Sequence, residues 1–180
     1  MQKSNNNKNN DNKFNTGNSN SNSNKSLARI YAFQFLYHLQ YRKAFPSQEI
    51  INSQDQAKRA RYIEDYLNYF NQTFENKNDI PSEGKLDFAR KMIDGVVENY
   101  TALEDIISKH SGKWTIEKIS PLDLTILLLA TYELTFYHQT PVRVVIDEAI
   151  ELAKKFADKS SYAFINGVLD SIAKTLSREI

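Results

Sequence analysis

Three carboxylates stand close together in this chain, and no other group of residues looks more like a catalytic site. Asp147, Glu148 and Glu151 fall at helical spacing. Asp147 lies in the first turns of a predicted helix, where negative charge is favourable, and Glu151 can pair with Lys155 four residues later. The pattern therefore favours a structural role for the cluster over acid–base catalysis.

Other residue types that enzymes use are absent or scattered. The chain has no Cys, which excludes disulfides, thiolate metal sites and thiol nucleophiles. His38, His110 and His138 form no His-x-x-His motif. The glycines form neither a phosphate-binding loop nor a Gly-x-Ser-x-Gly elbow. We predict a protein that is not an enzyme and uses no metal or cofactor.

The charge distribution limits how the chain can bind nucleic acid. The formal net charge is +1, but residues 1–26 alone carry +3, which leaves −2 for the rest. Any nucleic-acid site must therefore be a local basic patch. The N-terminus has no apolar leader, and the longest apolar run is too short to span a bilayer comfortably, so we expect a cytoplasmic protein with no membrane segment.

The first 26 residues differ in composition from the remainder. Eleven of them are Asn and five are Ser, and Phe14 is the only large apolar side chain. Such a segment cannot bury enough surface to offset its ordering entropy, so a disordered tail is predicted. Its Asn richness is either compositional drift or part of a Lys-dotted arm that touches RNA. Residues 27–180 are predicted to form one helical domain.

Residues 122–137 form the most apolar stretch and predict a central core helix. Ser120 suits the N-cap, Pro121 suits the first helical position, and Asp123 can reach back as in a capping box. The only charges between Leu122 and Tyr137 are Asp123 and Glu133. A helix this apolar must be buried around most of its circumference.

The first helix is predicted from Leu27 to Tyr41, with Ser26 as its N-cap. One face is predicted to pack inward and carries Ala28, Ala32, Phe35, Leu36 and Leu39. The opposite face, with Arg29 at its margin, carries Ile30, Gln34, Tyr37 and Tyr41. That face is either a second packing surface or a partner-binding site.

Helical periodicity recurs in four further segments, at 58–74, 86–107, 141–156 and 161–176. Gly112 ends the second of these, and Gly95 within it indicates a close approach between helices. Residues 42–57 are predicted as loop or a short helix, and 76–84 as loop. No stretch alternates with period two, so we predict an all-α bundle of about six to seven helices.

Three consecutive segments resemble a known family. They read SPLDLTILLLATYEL, TPVRVVIDEAIELAKKF and SSYAFINGVLDSIAK, and in this order they look like the C-terminal half of NusB, the bacterial transcription antitermination family. The pattern around Ala28-Arg29 and Leu36-Tyr37 resembles its first helix, and Asp94-Gly95-Val96-Val97 its third-to-fourth helix region. The resemblance covers about 27–41 and 86–176 and implies two three-helix sub-bundles. Residues 42–84 form a longer, poorly matched connection.

The resemblance implies a transcription antitermination factor with no cofactor. NusB proteins bind the boxA element of nascent RNA together with NusE, a small-subunit ribosomal protein. With other Nus factors, the complex helps the RNA polymerase elongation complex to read through terminators, notably in ribosomal RNA operons. A monomer and a homodimer are both compatible with the resemblance.

The resemblance also implies two RNA-binding regions. The N-terminal motif contains Lys25 and Arg29 where the family often has a cluster of arginines, which predicts weak RNA affinity. In the turn before the last helix, Ser160 and Ser161 offer hydroxyls and N–H groups to a phosphate. Phe164 either stacks on an unpaired base or packs in the core. The lysines near this turn are Lys154, Lys155 and Lys159.

In the family, the NusE-facing surface is built around a Tyr on the first helix and an acidic residue early in the central helix. These match Tyr37 and Asp123, although Asp123 also suits a purely capping role. Two alternatives remain open. One is a helical adaptor with little RNA binding, and the other is a relative of the helical domain fused to RNA cytosine methyltransferases.

Overall fold

A computed structural model of the chain describes residues 17–42, 55–74 and 80–176, with side chains from residue 25 onward. These ranges contain a short 3-10 turn, Ile116–Lys118, and no strand. Their α-helices are α1 Gly17–Tyr41, α2 Gln56–Gln72, α3 Glu83–Glu98, α4 Tyr100–His110, α5 Pro121–Thr135, α6 Val142–Phe156 and α7 Ser161–Thr175. The predicted all-α fold with six to seven helices is confirmed.

The central position predicted for the apolar helix is also confirmed. Every residue of α5 from Leu124 to Thr131 is buried, and the helix packs against α1, α3, α4, α6 and α7. Ser120 caps it as predicted, since its hydroxyl accepts a hydrogen bond from the Asp123 N–H at 3.1 Å, and Pro121 begins the helix. The core of the molecule is therefore assembled around α5.

The helices form two groups, and the central helix α5 belongs to the second. The first consists of α1, α2 and α3, in which α1 packs against both of the others. The second consists of α4 to α7 and has one helix more than the three-helix sub-bundle implied by the resemblance. The predicted inward face of α1 is confirmed, because Ala28, Ala32, Phe35, Leu36 and Leu39 are all fully buried.

Two predicted helix boundaries are wrong. Helix α1 begins at Gly17, so Ser26 lies within the helix, where its hydroxyl donates to Glu148 Oε1 at 2.6 Å. The disordered tail predicted for residues 1–26 overlaps this helix from Gly17 onward; it stays a prediction, and residues 1–16 lie outside the described residues. Most of 42–57 and residues 75–79 lie outside them as well.

The second boundary error concerns the long helix predicted across 86–107, which is divided at Asn99. The Asn99 side chain donates to the Gly95 carbonyl at 2.8 Å, and its backbone has left the helical region. Asn competes in this way for backbone groups, and it ends helices for the same reason. Gly112, with φ of +63°, then follows α4 as predicted. None of the helices in the described ranges has the length and apolar character needed to cross a bilayer.

Gly95 marks the close approach of α3 to α5 that its position within a helix predicted. A Cβ atom on Gly95 would lie 1.9 Å from Cζ of Tyr132. The Tyr132 ring is itself stacked on Phe136, with centroids 6.0 Å apart. Any side chain at position 95 must therefore displace a ring that already packs on another ring.

We expect Gly95→Ala to be less favourable to stability than Gly167→Ala by about 1–3 kcal/mol, because only the first overpacks a neighbour. Gly167 lies within α7 with open space around its Cβ position, so Gly167→Ala should gain the usual helix propensity of up to about 1 kcal/mol. Urea unfolding of both variants measures the difference. In a Tyr132→Ala background the two substitutions should become equivalent, and a persisting difference would contradict the steric explanation.

Candidate functional site

Arg29, predicted to bind RNA phosphates, is buried in the protein core. Only 3% of the residue is exposed, and its Nε donates to Glu133 Oε2 at 2.9 Å while Nη2 bonds the other carboxylate oxygen. Glu133 is 1% exposed, so both charges of this bidentate pair are desolvated. The donors of Arg29 therefore point into the protein, a position that does not favour the predicted RNA contact, which stays a prediction.

The ion pair is part of a small polar network between α1, α5 and α6. Thr140 donates from its hydroxyl to Glu133 Oε1 at 2.6 Å, and Arg29 Nη1 lies 3.6 Å from Glu148 Oε2. Ser26 completes the network through its bond to Glu148. The charges and hydroxyls therefore satisfy one another where three helices meet.

Of the two cations in the predicted N-terminal motif, Lys25 is the one that reaches solvent. Its side chain is partly exposed, and Nζ lies 5.5 Å from the centroid of the Phe88 ring. The Arg29 guanidinium lies 5.2 Å from the same centroid. The aromatic ring thus holds the Lys25 ammonium beside the buried pair while leaving it accessible to an anion.

The turn before α7 contains one available hydroxyl. Ser160 is exposed at the N-cap of α7, and its side chain makes no capping hydrogen bond. Ser161, by contrast, is buried, and its N–H donates to the Asp158 carbonyl at 2.9 Å. The burial of Ser161 and the engagement of its N–H do not favour the predicted phosphate contact, which stays a prediction for this residue. Ser160 and the exposed Lys159 remain candidates.

The other lysines near this turn are partly engaged by neighbours. Lys154 Nζ donates to Glu151 Oε1 at 2.6 Å, and this hydrogen bond raises the pKa of Lys154. The sequence suggested that Glu151 pairs with Lys155. In the structure it pairs with Lys154 instead. Lys155 Nζ lies 5.3 Å from the centroid of the Phe156 ring.

The sequence left open whether Phe164 stacks on a base or packs in the core. In the structure the residue is half-buried, which is compatible with either role. It packs edge-on against Trp114, with centroids 5.9 Å apart and an interplanar angle of 61°. Trp114 itself is 53% exposed. Sequence reasoning did not select Trp114 as a site residue, although a lone Trp in a polar loop is a signal that could have drawn attention to it.

The four residues predicted to form a partner-binding face on α1 are divided between two surfaces. Ile30 and Gln34 line a groove of about 600 Å³ between α1, the start of α3 and the end of α6, together with Lys85 and Lys155. Tyr37 and Tyr41 lie at the C-terminal end of α1. The structure does not gather all four residues into one patch.

The second surface joins the end of α1 to the start of α5. Tyr37 stacks between Phe33 and Tyr41, at centroid distances of 6.2 Å from each, and Tyr41 is 73% exposed. Thr125 donates to Gln40 at 2.9 Å and so fixes this end of α1 against the first turns of α5, where Asp123 lies. We call Tyr37, Tyr41 and Asp123 the tyrosine–aspartate surface.

Unsatisfied polar atoms lie beside the tyrosine–aspartate surface. Asp123 Oδ1 and Gln40 Nε2 are buried and have no hydrogen-bond partner within the described part of the chain. The capping-box bond predicted for Asp123 is thus not made by Oδ1. His38 on the same turn of α1 packs against aromatic rings of α2, and burial lowers its pKa, so its neutral form is favoured. Buried polar atoms without a protein hydrogen-bond partner are commonly satisfied by ordered water.

The sequence of the chain matches the model of one protein family across most of the described residues. The NusB family model aligns with residues 26–174. The chain belongs to the NusB family. It is 36% identical over 148 residues to the transcription antitermination protein NusB of Thermodesulfovibrio yellowstonii, covering 82% of this chain and 89% of that protein. It is 46% identical over 86 residues to NusB of Thermotoga maritima, covering 48% of this chain and 61% of that protein, which is less than two thirds of its length.

Solved structures show the same NusB fold. T. maritima NusB is 32% identical, with a TM-score of 0.59 and coverage of 84% of this chain and 90% of that chain. The solution structure of Aquifex aeolicus NusB is 27% identical, with a TM-score of 0.61 and coverage of 87% and 94%. NusB in a complex with NusE and double-stranded RNA is 24% identical with a TM-score of 0.60, a likeness that concerns the fold.

Removing one partner of the buried ion pair should destabilise the protein strongly. We expect Arg29→Ala to lower the free energy of unfolding by about 3–5 kcal/mol, because Glu133 is left as an uncompensated buried charge. Lys154→Ala is the matched control, since it breaks a solvent-exposed pair with Glu151 and should leave stability almost unchanged. Chemical denaturation measures both values, and similar losses in the two variants would contradict the proposed burial of Arg29.

Proposed function

We propose that this chain is a transcription antitermination factor that binds boxA-type single-stranded RNA together with NusE. The observation that supports the proposal is that Lys25 and Tyr37, candidates for RNA and partner binding, lie on one continuous helix of a NusB-family fold. Lys25 and Tyr37 are separated by twelve residues of α1, which corresponds to about 18 Å at the rise of an α-helix. RNA at one end therefore leaves the other end free for a protein.

On the RNA side, we infer that Lys25 and the turn before α7 supply the contacts. Lys25 is accessible beside Phe88, and Ser160 and Lys159 are exposed at the N-terminus of α7. A phosphate at such a helix end meets N–H groups and a favourable dipole. Two lysines and one hydroxyl make a weak site, because affinity for a nucleic acid rises steeply with the number of phosphates that are neutralised.

On the protein side, the tyrosine–aspartate surface is our candidate for the NusE site. Tyr41 is the most exposed large apolar side chain among the described residues, and it extends the stack formed by Phe33 and Tyr37. Exposed tyrosines around a buried aromatic anchor suit a protein interface. Asp123 is half-buried at the start of α5, and a carboxylate in this position suits a basic partner.

A second candidate function is a helical adaptor with little RNA binding of its own. The observation that favours it is the burial of Arg29, which leaves the N-terminal motif with Lys25 as its accessible cation. Under this alternative the tyrosine–aspartate surface would still bind a protein. RNA titrations in the presence and absence of NusE distinguish the two candidates, since only the first predicts saturable RNA binding.

We expect Lys25→Ala and Lys159→Ala each to weaken binding of labelled boxA RNA and to reduce the log–log salt slope by about 0.7, because each removes one phosphate contact from a single strand. Fluorescence anisotropy at several salt concentrations measures both effects. Lys58→Ala is the control, since Lys58 is exposed like Lys159 but lies at the start of α2. If Lys58→Ala lowers the slope as much as the other two, binding is spread over the surface and the site is misplaced.

NusE is expected to tighten RNA binding about tenfold or more, since a partner that adds its own phosphate contacts raises RNA affinity, and RNA raises partner affinity by the same factor. Tyr37→Ala and Asp123→Lys should remove this enhancement, whereas Tyr62→Ala, which truncates a half-buried tyrosine on α2, should retain it. The measurement is the same RNA titration with and without NusE. An enhancement that is equal in wild type and both variants would exclude the tyrosine–aspartate surface.

A further inference from the structure

Trp114 and Phe164 form an aromatic pair on the surface between the α4–α5 connection and the first turn of α7. Trp114 is 53% exposed, whereas Phe164 is half-buried and meets Trp114 edge-on. Of the two rings, the larger one therefore presents more surface to solvent. This pair has no assigned role in the proposed function beyond the candidate role of Phe164.

The loop holds Trp114 in a defined position. Gly112, at φ of +63°, turns the chain after α4, and the Trp114 N–H donates to the Ser111 carbonyl at 3.1 Å. Ser111 is buried and its hydroxyl donates back to the Ile107 carbonyl. An exposed ring that is fixed by its backbone loses little conformational entropy when a ligand stacks on it.

The charges along this segment suit a phosphate backbone. From 109 to 118 the chain carries Lys109, Lys113 and Lys118 against a single carboxylate, Glu117. Lys109 and Lys113 are exposed and make no ion pair within the described ranges. Rings interleaved with cations of this kind are typical of surfaces that bind single-stranded nucleic acid.

The surface is also continuous with the turn proposed to bind RNA. Phe164 lies one helical turn after Ser160 on α7, and it is Phe164 that contacts Trp114. A strand whose phosphate lies at Ser160 therefore has its next bases within reach of the aromatic pair. We propose that Trp114 is the residue on which an unpaired RNA base stacks, and that Phe164 supports the Trp114 ring from its edge. This inference rests on the proposed function and extends its RNA site.

The experiment uses the fact that Trp114 is the only tryptophan of the chain. Unlabelled boxA RNA is titrated into the full-length protein while its intrinsic fluorescence is recorded, and binding of labelled RNA is followed separately by anisotropy. We expect Trp114 emission to be quenched with the midpoint found by anisotropy. Saturable anisotropy binding without any change in Trp114 emission would overturn the inference and leave the proposed function standing.

Substitutions test whether the aromatic character of position 114 matters. Trp114→Phe should retain most of the RNA affinity, whereas Trp114→Leu and Trp114→Ala should weaken it about tenfold or more, because an aliphatic side chain cannot stack on a base. Thermal unfolding shows whether each variant is folded. The Trp114→Leu variant controls for lost packing in Trp114→Ala, because Leu retains more of the side-chain volume. Equal RNA affinity in all four proteins contradicts the inference.

Two further outcomes separate this inference from its alternatives. If Trp114→Leu weakens binding of NusE and leaves RNA affinity unchanged, Trp114 belongs to a protein interface and the inference is wrong. If anisotropy detects no RNA binding by wild type, either alone or with NusE, the proposed function fails and the inference fails with it.

Discussion

The buried ion pair between Arg29 and Glu133 is the constraint on which the arrangement of this molecule depends. It joins α1, which packs against both other helices of the first group, to the central helix α5. Its network includes the hydroxyls of Ser26 on α1 and Thr140 in the α5–α6 turn and the carboxylate of Glu148 on α6. Two charges in the core are tolerated only when their geometry is good and their remaining atoms are bonded. The sequence must therefore keep the pair and its surrounding network together.

This constraint explains how one helix can carry two candidate binding surfaces. Arg29 sits one turn from Lys25 and two turns from Tyr37, so fixing its guanidinium on α5 fixes the orientation of both. At the other end of α1, the hydrogen bond between Thr125 and Gln40 also attaches α1 to α5. The positions of both surfaces are thus set by contacts with α5, and sites held by packed helices are more precise than sites on free loops.

The sequence predicted the helices well and the charged site residues poorly. Period-3.6 patterns identify which faces are buried, and the capping of α5 by Ser120 followed from local rules. The burial of Arg29 did not follow from local rules, because its partner Glu133 lies 104 residues away in sequence. A signal was present, since a lone Glu in an apolar helix needs a buried partner. The burial of Ser161 and the contact of Trp114 with Phe164 were not predicted, because contacts between distant segments cannot be derived from local spacing.

The central claim is that Arg29 acts through the fold and does not contact RNA. Its most direct test replaces the whole pair by apolar residues of similar volume, as Arg29→Met/Glu133→Leu, which removes both fully buried charges together. The half-buried Glu148 keeps its hydrogen bond from Ser26, so stability can be preserved. The salt dependence of boxA RNA affinity is then compared with that of wild type. We predict an unchanged log–log slope, whereas a slope that falls by about 0.7 would show that Arg29 neutralises a phosphate and would contradict its purely structural role.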